Sequence, residues 1–323
     1  MINVLLADKF SEDIFKLREL DGFTVDEKVG MTPDELSEVI GDYDVILIRS
    51  ATKLPAEMIK KGTRLKLIGR GGIGVDNIDI PTATEMGIKV MNTPMANAES
   101  TAEHAIAMMF AAARHIAQGT ASLKSEQWIK KQLKGRQLGG LTLGLIGMGN
   151  IGKIVAQKAY GIGLDVVVSD PYLKTDADNT ITIKSNGRVA DFKVKALSLD
   201  ELLQTVDYIS IHTPMTKETK GMIDEEKLNL IKDGAILVNN SRGGIVDEDA
   251  LYTVLKEKNI IAAFDVFKNE PLGKSSLLEL NNFICTPHIS ASTIEAQKQV
   301  GIDLVNQIKS FFVDGEMINI LNK

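Results

Sequence analysis

Cysteine is nearly absent, since Cys285 is the only one in 323 residues. No intrachain disulfide can form, and a reducing, cytoplasmic setting is expected. Histidine is scarce as well. His104, His115, His212 and His288 are scattered without ligand spacing, so no metal site is expected. Long apolar runs are missing. The longest, 105–113, is too short to cross a bilayer, and no membrane association is expected. The chain opens on Ile2-Asn3-Val4-Leu5-Leu6-Ala7 and turns acidic at Asp8, which reads as a first strand rather than a leader. Basic stretches are missing too. The 43 acidic residues outnumber the 37 basic ones for a net charge of −6, and no Lys/Arg-rich run offers a phosphate-tracking surface. Nucleic acid is therefore a poor partner.

What is present describes an ordinary globular protein. Apolar residues make up 44% and charged residues 25%, and the length suits about two domains. Short apolar runs alternate with helical patterns almost throughout. Strands are expected at 45–48, 65–69, 89–91, 143–147, 166–168, 208–211, 235–238, 261–264 and 283–285. Continuous apolar strands separated by helices mean parallel strands covered on both faces, an α/β fold with doubly wound sheets.

Helix starts are marked by capping boxes. Thr32-Pro33-Asp34-Glu35, Ser100-Thr101-Ala102-Glu103, Ser198-Leu199-Asp200-Glu201 and Ser292-Thr293-Ile294-Glu295 all fit. The Ser100 box is expected to open a long helix to about Gln118, stopped by Gly119, bridging two domains. The first domain would comprise 1–98 and 290–323, with the last helix, Thr293 to about Phe312, returning to pack on it. The second would run over 99–289. Residues 174–196 read as a polar surface excursion, with a hairpin as one reading of the alternation at 180–184.

Gly147-Met148-Gly149-Asn150-Ile151-Gly152 matches G-x-G-x-x-G, and its context gives it weight. A strand precedes it, a helical pattern follows to Gly161, and the next strand ends at Asp170, 18 residues after Gly152. Gly147 permits the tight turn, Gly149 the approach of a pyrophosphate, and Gly152 close packing of helix on strand. The helix N-terminus offers N–H groups to phosphate. Asp170 would accept from both ribose hydroxyls and repel a 2′-phosphate, so NAD is expected rather than NADP. A second match, Gly69-Arg70-Gly71-Gly72-Ile73-Gly74, lacks a following amphipathic helix and an acid-ended strand. It reads instead as a loop whose backbone amides and Arg70 face an anion.

The chain resembles the D-isomer-specific 2-hydroxyacid dehydrogenases over essentially its whole length. The likeness rests on Arg49-Ser50-Ala51-Thr52-Lys53, the block Gly69 to Asp79, Asn92-Thr93-Pro94, Ala98 to His104, and Trp128 to Gly152. It continues in Asn239-Asn240-Ser241-Arg242-Gly243, Phe264-Asp265-Val266-Phe267, Glu270-Pro271 and Thr286-Pro287-His288. The resemblance implies Rossmann-like and flavodoxin-like domains with a cleft between them, and hydride transfer at the carbon beside a carboxylate. Arg242 would clamp that carboxylate and polarise the carbonyl through its guanidinium fork. His288 would be the acid and base, and Glu270 would hold its imidazole and favour the charged form. Asn150 and Ile151 would lie over the pyrophosphate and Asp265 at the nicotinamide end. Thr213, Asn240 and Ser241 would complete the cofactor crevice. Arg242, Asp265 and His288 each follow an expected strand, at the carboxyl edge where open α/β sheets bind ligands. His104 is expected to be structural, and His115 and His212 non-catalytic.

Within the family the likeness favours 3-phosphoglycerate as substrate. A phosphorylated substrate needs cations beyond Arg242, and Arg49, Lys53, Arg70 and Lys130, with the Gly71 and Gly72 backbone, are the candidates. Lys130 follows Trp128 in a segment that in relatives approaches the neighbouring subunit, and a homodimer through the bridging-helix region is implied. Longer relatives carry a serine-sensing domain. The chain ends soon after its last helix, so that control is expected to be absent. Two other readings stand beside this one, a glyoxylate or hydroxypyruvate reductase and an NAD(H)-sensing, corepressor-like binding protein.

Overall fold

The computed structural model describes residues 1–184, 187 and 189–322. The chain divides into two compact units, Met1–Ala98 with Ser292–Lys323, and Glu99–Ala291.

The first unit is built on five parallel strands: β1 (Ile2–Leu6), β2 (Phe23–Glu27), β3 (Val45–Ile48), β4 (Leu67–Arg70) and β5 (Lys89–Asn92). Their order is β2-β1-β3-β4-β5, a doubly wound sheet that reverses direction between β1 and β3. β3 is buried at all four positions, as its unbroken Val-Ile-Leu-Ile run requires. β2 was not foreseen. It is an edge strand, Phe-Thr-Val-Asp-Glu, in which only Val25 is buried, so the apolar signal is one residue long. The final helix, Ile294–Lys309, packs on the short helix Glu12–Glu19 in this same unit. Its cap is Thr293, whose side chain accepts from the Ala296 N–H, and not Ser292 as the box implies.

The close approach of that helix explains the second glycine string. A Cβ on Gly69 would meet Leu47 at 2.5 Å, and one on Gly71 would meet Phe10 and Val300 at 2.7 and 2.8 Å. These glycines admit packing. The expectation that their amides face an anion is corrected for two of them. The Gly71 N–H donates to the Ile48 carbonyl and the Gly72 N–H to Thr93 Oγ1, both at 2.8 Å.

The second unit carries β6 (Thr142–Ile146), β7 (Asp165–Ser169), β8 (Thr180–Ile183), β9 (Phe192–Ala196), β10 (Tyr208–Ile211), β11 (Ile236–Asn239), β12 (Ile261–Phe264) and β13 (Phe283–Cys285). The order is β13-β12-β11-β10-β6-β7-β9-β8, parallel except for the β8–β9 pair. The excursion at 174–196 is therefore a hairpin added to the sheet. Phe192 stacks on Tyr160 of the helix Asn150–Gly161, with ring centroids 4.1 Å apart. Its residues Ser185, Asn186 and Arg188 lie outside the described residues.

Two helix expectations fail for tertiary reasons. The helix opening this unit spans Ala98–Ala113, so Ser100 lies inside its first turn rather than at its cap. Glu103, with Glu99, instead pairs with Lys158 at 3.0 and 2.7 Å. Nor does the helix run on to Gly119. His115 takes a left-handed backbone (φ 50°), and a second helix, Ile116–Lys124, contains Gly119. The Ala113 carbonyl accepts from the Arg136 N–H at 2.9 Å, where a continuing helix would have used it internally.

One device recurs in both sheets. Asp44 precedes β3 and accepts from the Asn3 N–H at the start of β1, while pairing with Arg64 and Lys66. Asp207 precedes β10 and accepts from the Thr142 N–H at the start of β6, while pairing with Arg136 and Lys232. Burial pushes both carboxyls up, but these donors and cations outweigh it and hold both below the usual range. A depressed carboxyl stabilises the fold above its unfolded pKa, about 3.9, and that stability is lost as pH falls through the folded value. Asp44→Asn and Asp207→Asn should therefore lower Tm at neutral pH and flatten its fall below about pH 4, measured by thermal melts across pH.

Candidate active site

The glycine turn sits between β6 and the helix Asn150–Gly161, and Gly149 is that helix's N-cap with no side-chain hydrogen bond. Gly147 has φ +97°, and a Cβ on it would lie 2.7 Å from the His212 carbonyl. A Cβ on Gly152 would collide with the Gly147 carbonyl. Asn150 is exposed and Ile151 half-buried. Asp170 follows β7, and its carboxylate accepts the Met148 N–H at 2.8 Å and the Tyr172 N–H at 2.9 Å. Each carboxylate oxygen keeps lone-pair capacity for a ribose hydroxyl. The acid thus also braces the glycine turn, which its spacing alone did not reveal.

Past β10 and β11 lie two polar groups with nothing to bond. Thr213 Oγ1 and both amide atoms of Asn240 are buried without a hydrogen-bond partner. Thr213 lies against the Gly147 turn, and orphaned polar atoms past the carboxyl ends of parallel strands are what a polar ligand would satisfy. The glycine cradle, the bare helix N-terminus and Asp170 fit the pyrophosphate and ribose of NAD. Ser241 is committed locally, its N–H and hydroxyl both donating to Asn239 Oδ1 at 3.1 and 2.9 Å.

The histidine and carboxylate expected to form the acid–base pair meet at the far end of the sheet. His288, beyond β13, places Nδ1 2.6 Å from Glu270 Oε2. Glu270 Oε1 accepts the Phe267 N–H at 3.0 Å. Burial raises the Glu270 carboxyl, but His288, the Phe267 N–H and the Arg242 charge together bring it below its ordinary value. It is a carboxylate at working pH, so Nδ1 of His288 carries the proton between them. Nε2 is the ring nitrogen that Glu270 does not engage.

Arg242 is set by a turn beyond β11. Asn239, almost fully buried, donates from Nδ2 to the Arg242 carbonyl at 3.0 Å, and Arg242 Nη1 bonds the Ser241 carbonyl at 2.7 Å. Gly243 next to it lies so near the Phe267–Lys268 backbone that a Cβ would overlap it. The Arg242 loop and the Glu270 loop are in backbone contact there. Asn239 and Gly243 were missed as site residues, although Asn two positions before Ser241 fits an Asx turn, a signal that could have found the first.

Asp265, expected at the nicotinamide end, has other partners here. Its fully buried carboxylate accepts the Thr286 hydroxyl at 2.6 Å and the Ile289 and Ser290 N–H groups at 2.8 Å. His104 Nε2 lies 3.0 Å from Thr286 Oγ1. Neither Thr286 nor His104 was singled out from sequence as a contributor. Burial pushes His212 down to about 4, and its Nε2 lies 2.8 Å from Ser210 Oγ. It stays neutral at pH 7.

The remaining substrate candidates fall in two places. Arg49 follows β3 in the first unit. Its N–H donates to Asp8 Oδ2 at 2.5 Å, Thr52 donates to the same carboxylate, and Asn77 Nδ2 holds the Arg49 and Thr52 carbonyls at 2.7 Å. Lys53 is exposed beside this rigid turn. Arg70 ends β4, and its Nη1 bonds the Gly71 carbonyl at 3.0 Å, folded over Gly72. Lys130 belongs to the second unit, exposed in the short helix Lys130–Gln132.

Comparison with known proteins shows the family of the chain. The family model described as D-isomer specific 2-hydroxyacid dehydrogenase, NAD binding domain, matches residues 106–290. A D-3-phosphoglycerate dehydrogenase of Methanocaldococcus jannaschii is 43% identical over 100% of this chain and 60% of its own length. A hydroxypyruvate reductase of Thermotoga maritima is 47% identical over 85% of this chain and 87% of its own. The structure of NAD+-bound 3-phosphoglycerate dehydrogenase from Entamoeba histolytica superposes with a TM-score of 0.82 at 30% identity, covering 100% of this chain and 99% of that one. The chain belongs to the D-isomer specific 2-hydroxyacid dehydrogenases, and its second unit holds that family's NAD-binding domain.

Proposed function

We propose that the protein interconverts 3-phospho-D-glycerate and 3-phosphohydroxypyruvate with NAD, the oxidation that leads toward serine. The observation that carries the reading is the 2.6 Å pairing of His288 Nδ1 with the Glu270 carboxylate, beside Arg242. NAD, when bound, supplies the acceptor or donor of a hydride. Arg242 grips the substrate carboxylate in a two-pronged contact and fixes the adjacent carbon. His288 Nε2 takes the hydroxyl proton in oxidation and returns it to the carbonyl oxygen in reduction. Glu270 holds the ring and stabilises the imidazolium while it exists.

The phosphate would fall to Arg49, Lys53 and Arg70, with Lys130 a further cation. The Asp8–Asn77 bracing of the Arg49 turn supports a preorganised contact. The Thermotoga relative, a hydroxypyruvate reductase, favours a second reading, reduction of hydroxypyruvate, with glyoxylate a further keto acid to test. Steady-state rates with NADH against phosphohydroxypyruvate, hydroxypyruvate and glyoxylate decide between them. The phosphorylated acid should give the highest kcat/KM, and a higher value for glyoxylate would remove the first reading. Asp170→Ala should raise the KM for NAD and narrow its preference over NADP, read from kcat/KM with each. An unchanged preference would contradict the assignment of Asp170 to the ribose. A cytoplasmic homodimer is part of the same proposal. The lone Cys285 supports the location, and exposed Phe110, Ile116, Leu123 and Trp128 on the Ala98–Ala113 helix and just after it support self-association.

A further inference from the structure

We infer that Thr286 and His104 are positioning residues that hold His288 on target through the buried carboxylate of Asp265. The inference rests on His288 being the acid–base group.

His288 has φ +52°, a left-handed backbone that is unfavourable for any residue with a Cβ. Such a conformation persists where its surroundings over-determine it. Here those surroundings converge on Asp265. The His288 N–H donates to the Asp265 carbonyl at 2.8 Å. The Ile289 and Ser290 N–H groups and the Thr286 hydroxyl donate to its carboxylate, at 2.8, 2.8 and 2.6 Å. One buried carboxylate therefore gathers residues 286, 289 and 290 around the catalytic imidazole. With no exposure to water, that carboxylate depends on its donors.

The Thr286 hydroxyl has a single proton, and it points at Asp265. Toward His104, 3.0 Å away, Thr286 Oγ1 can only accept. His104 Nε2 must then carry a hydrogen, which fixes the tautomer of the ring. The same Nε2 lies 3.7 Å from Asp265 Oδ1, so an imidazolium there would also face the carboxylate. His104 stands on the helix Ala98–Ala113, and the chain of contacts thereby ties the His288 loop to that helix. Of the four side chains in this network, only His288 is assigned to the reacting atoms, which makes Thr286, His104 and Asp265 positioning residues.

The test is a set of variants read by kinetics and by NMR. Thr286→Val keeps the side-chain shape and removes the donor. It should lower kcat for reduction by about tenfold, the equivalent of one hydrogen bond to a charged acceptor, and leave both KM values in place. It should also raise the solvent deuterium isotope effect on kcat, because a misaligned imidazole makes proton delivery limiting. Thr286→Ser should restore both readings, and His104→Phe should shift them in the same direction as Thr286→Val. In the wild-type protein, 15N spectra of the His104 ring should show hydrogen on Nε2, assigned by its loss in His104→Phe. A wild-type kcat in Thr286→Val, a fall in kcat without a rise in the isotope effect, failure of Ser to rescue, or hydrogen on Nδ1 of His104 would each overturn the inference. If His288→Ala also keeps wild-type activity, the acid–base reading itself has failed. With His288→Ala inactive, the Thr286 series judges the positioning chain alone.

Discussion

His288→Ala should lower kcat in both directions by about 10² to 10⁴, the usual contribution of a positioned proton donor and acceptor. The KM for NAD should move little, because the ring is not among the groups assigned to the dinucleotide. Since residue 288 is left-handed, alanine also disturbs the loop, and His288→Asn, better tolerated there, separates the two effects. Both variants should be equally slow if the imidazole is the cause. The pH dependence has a definite sign. Reduction requires the imidazolium and oxidation the neutral ring, so the reductive rate falls as pH rises and the oxidative rate climbs. Glu270→Gln removes the negative partner 2.6 Å away, which destabilises the imidazolium. The reductive kcat of that variant should fall well below wild type at neutral pH. A His288→Ala enzyme within about threefold of wild type in kcat would place acid–base catalysis elsewhere, since such a loss lies far below the expected range.

How much of this was legible beforehand depended on how local the signal is. β3, β10, β12 and β13 were read at their observed bounds, because strands buried on both faces are written as nearly continuous apolar runs, broken here only by Ser210 in β10. β2 was not, because an edge strand with one buried residue has almost no pattern. The Thr32 and Ser198 boxes were correct, since a cap is settled within four residues. The Ser100 box was not a cap, because its Glu103 is drawn to Lys158 on another helix. The break at His115 likewise depends on Arg136, which no window around 115 contains.

The site shows the same division. The glycine turn and Asp170 could be recognised from spacing, and His288, Glu270 and Arg242 from short blocks of resemblance. The bonds between them could not. His104 and Thr286 are 182 positions apart in sequence, and the Met148–Asp170 bond joins a turn to the end of the next strand. Gly243 is invisible as a site residue until the Phe267 backbone is seen against it. A candidate catalytic group is thus picked out by residue type and neighbours, whereas its aim is carried by distant contacts.

Arg242 gives the second large effect. A guanidinium that holds the substrate carboxylate contributes to binding, and one that also meets the carbonyl oxygen contributes more as that oxygen gains charge. Arg242→Ala should therefore raise the KM for the keto acid and lower kcat, with a combined fall in kcat/KM of at least 10² to 10³, the loss typical of one oxyanion donor. Arg242→Lys keeps the charge but loses the planar fork, and it should recover less than about a tenth of the missing activity. The structure makes the geometry hard for lysine to imitate. Asn239 fixes the backbone of the turn, the Nη1 contact with Ser241 fixes one edge of the guanidinium, and Gly243 seats the turn against Phe267. A point charge on a flexible stem inherits the position of the backbone and none of the orientation. Rescue separates the two roles. Added guanidinium ion should restore part of the rate of Arg242→Ala, and methylammonium should restore less of the same variant or none. If Arg242→Lys matched wild type in kcat/KM, charge alone would suffice, and the two-pronged contact would have to be abandoned.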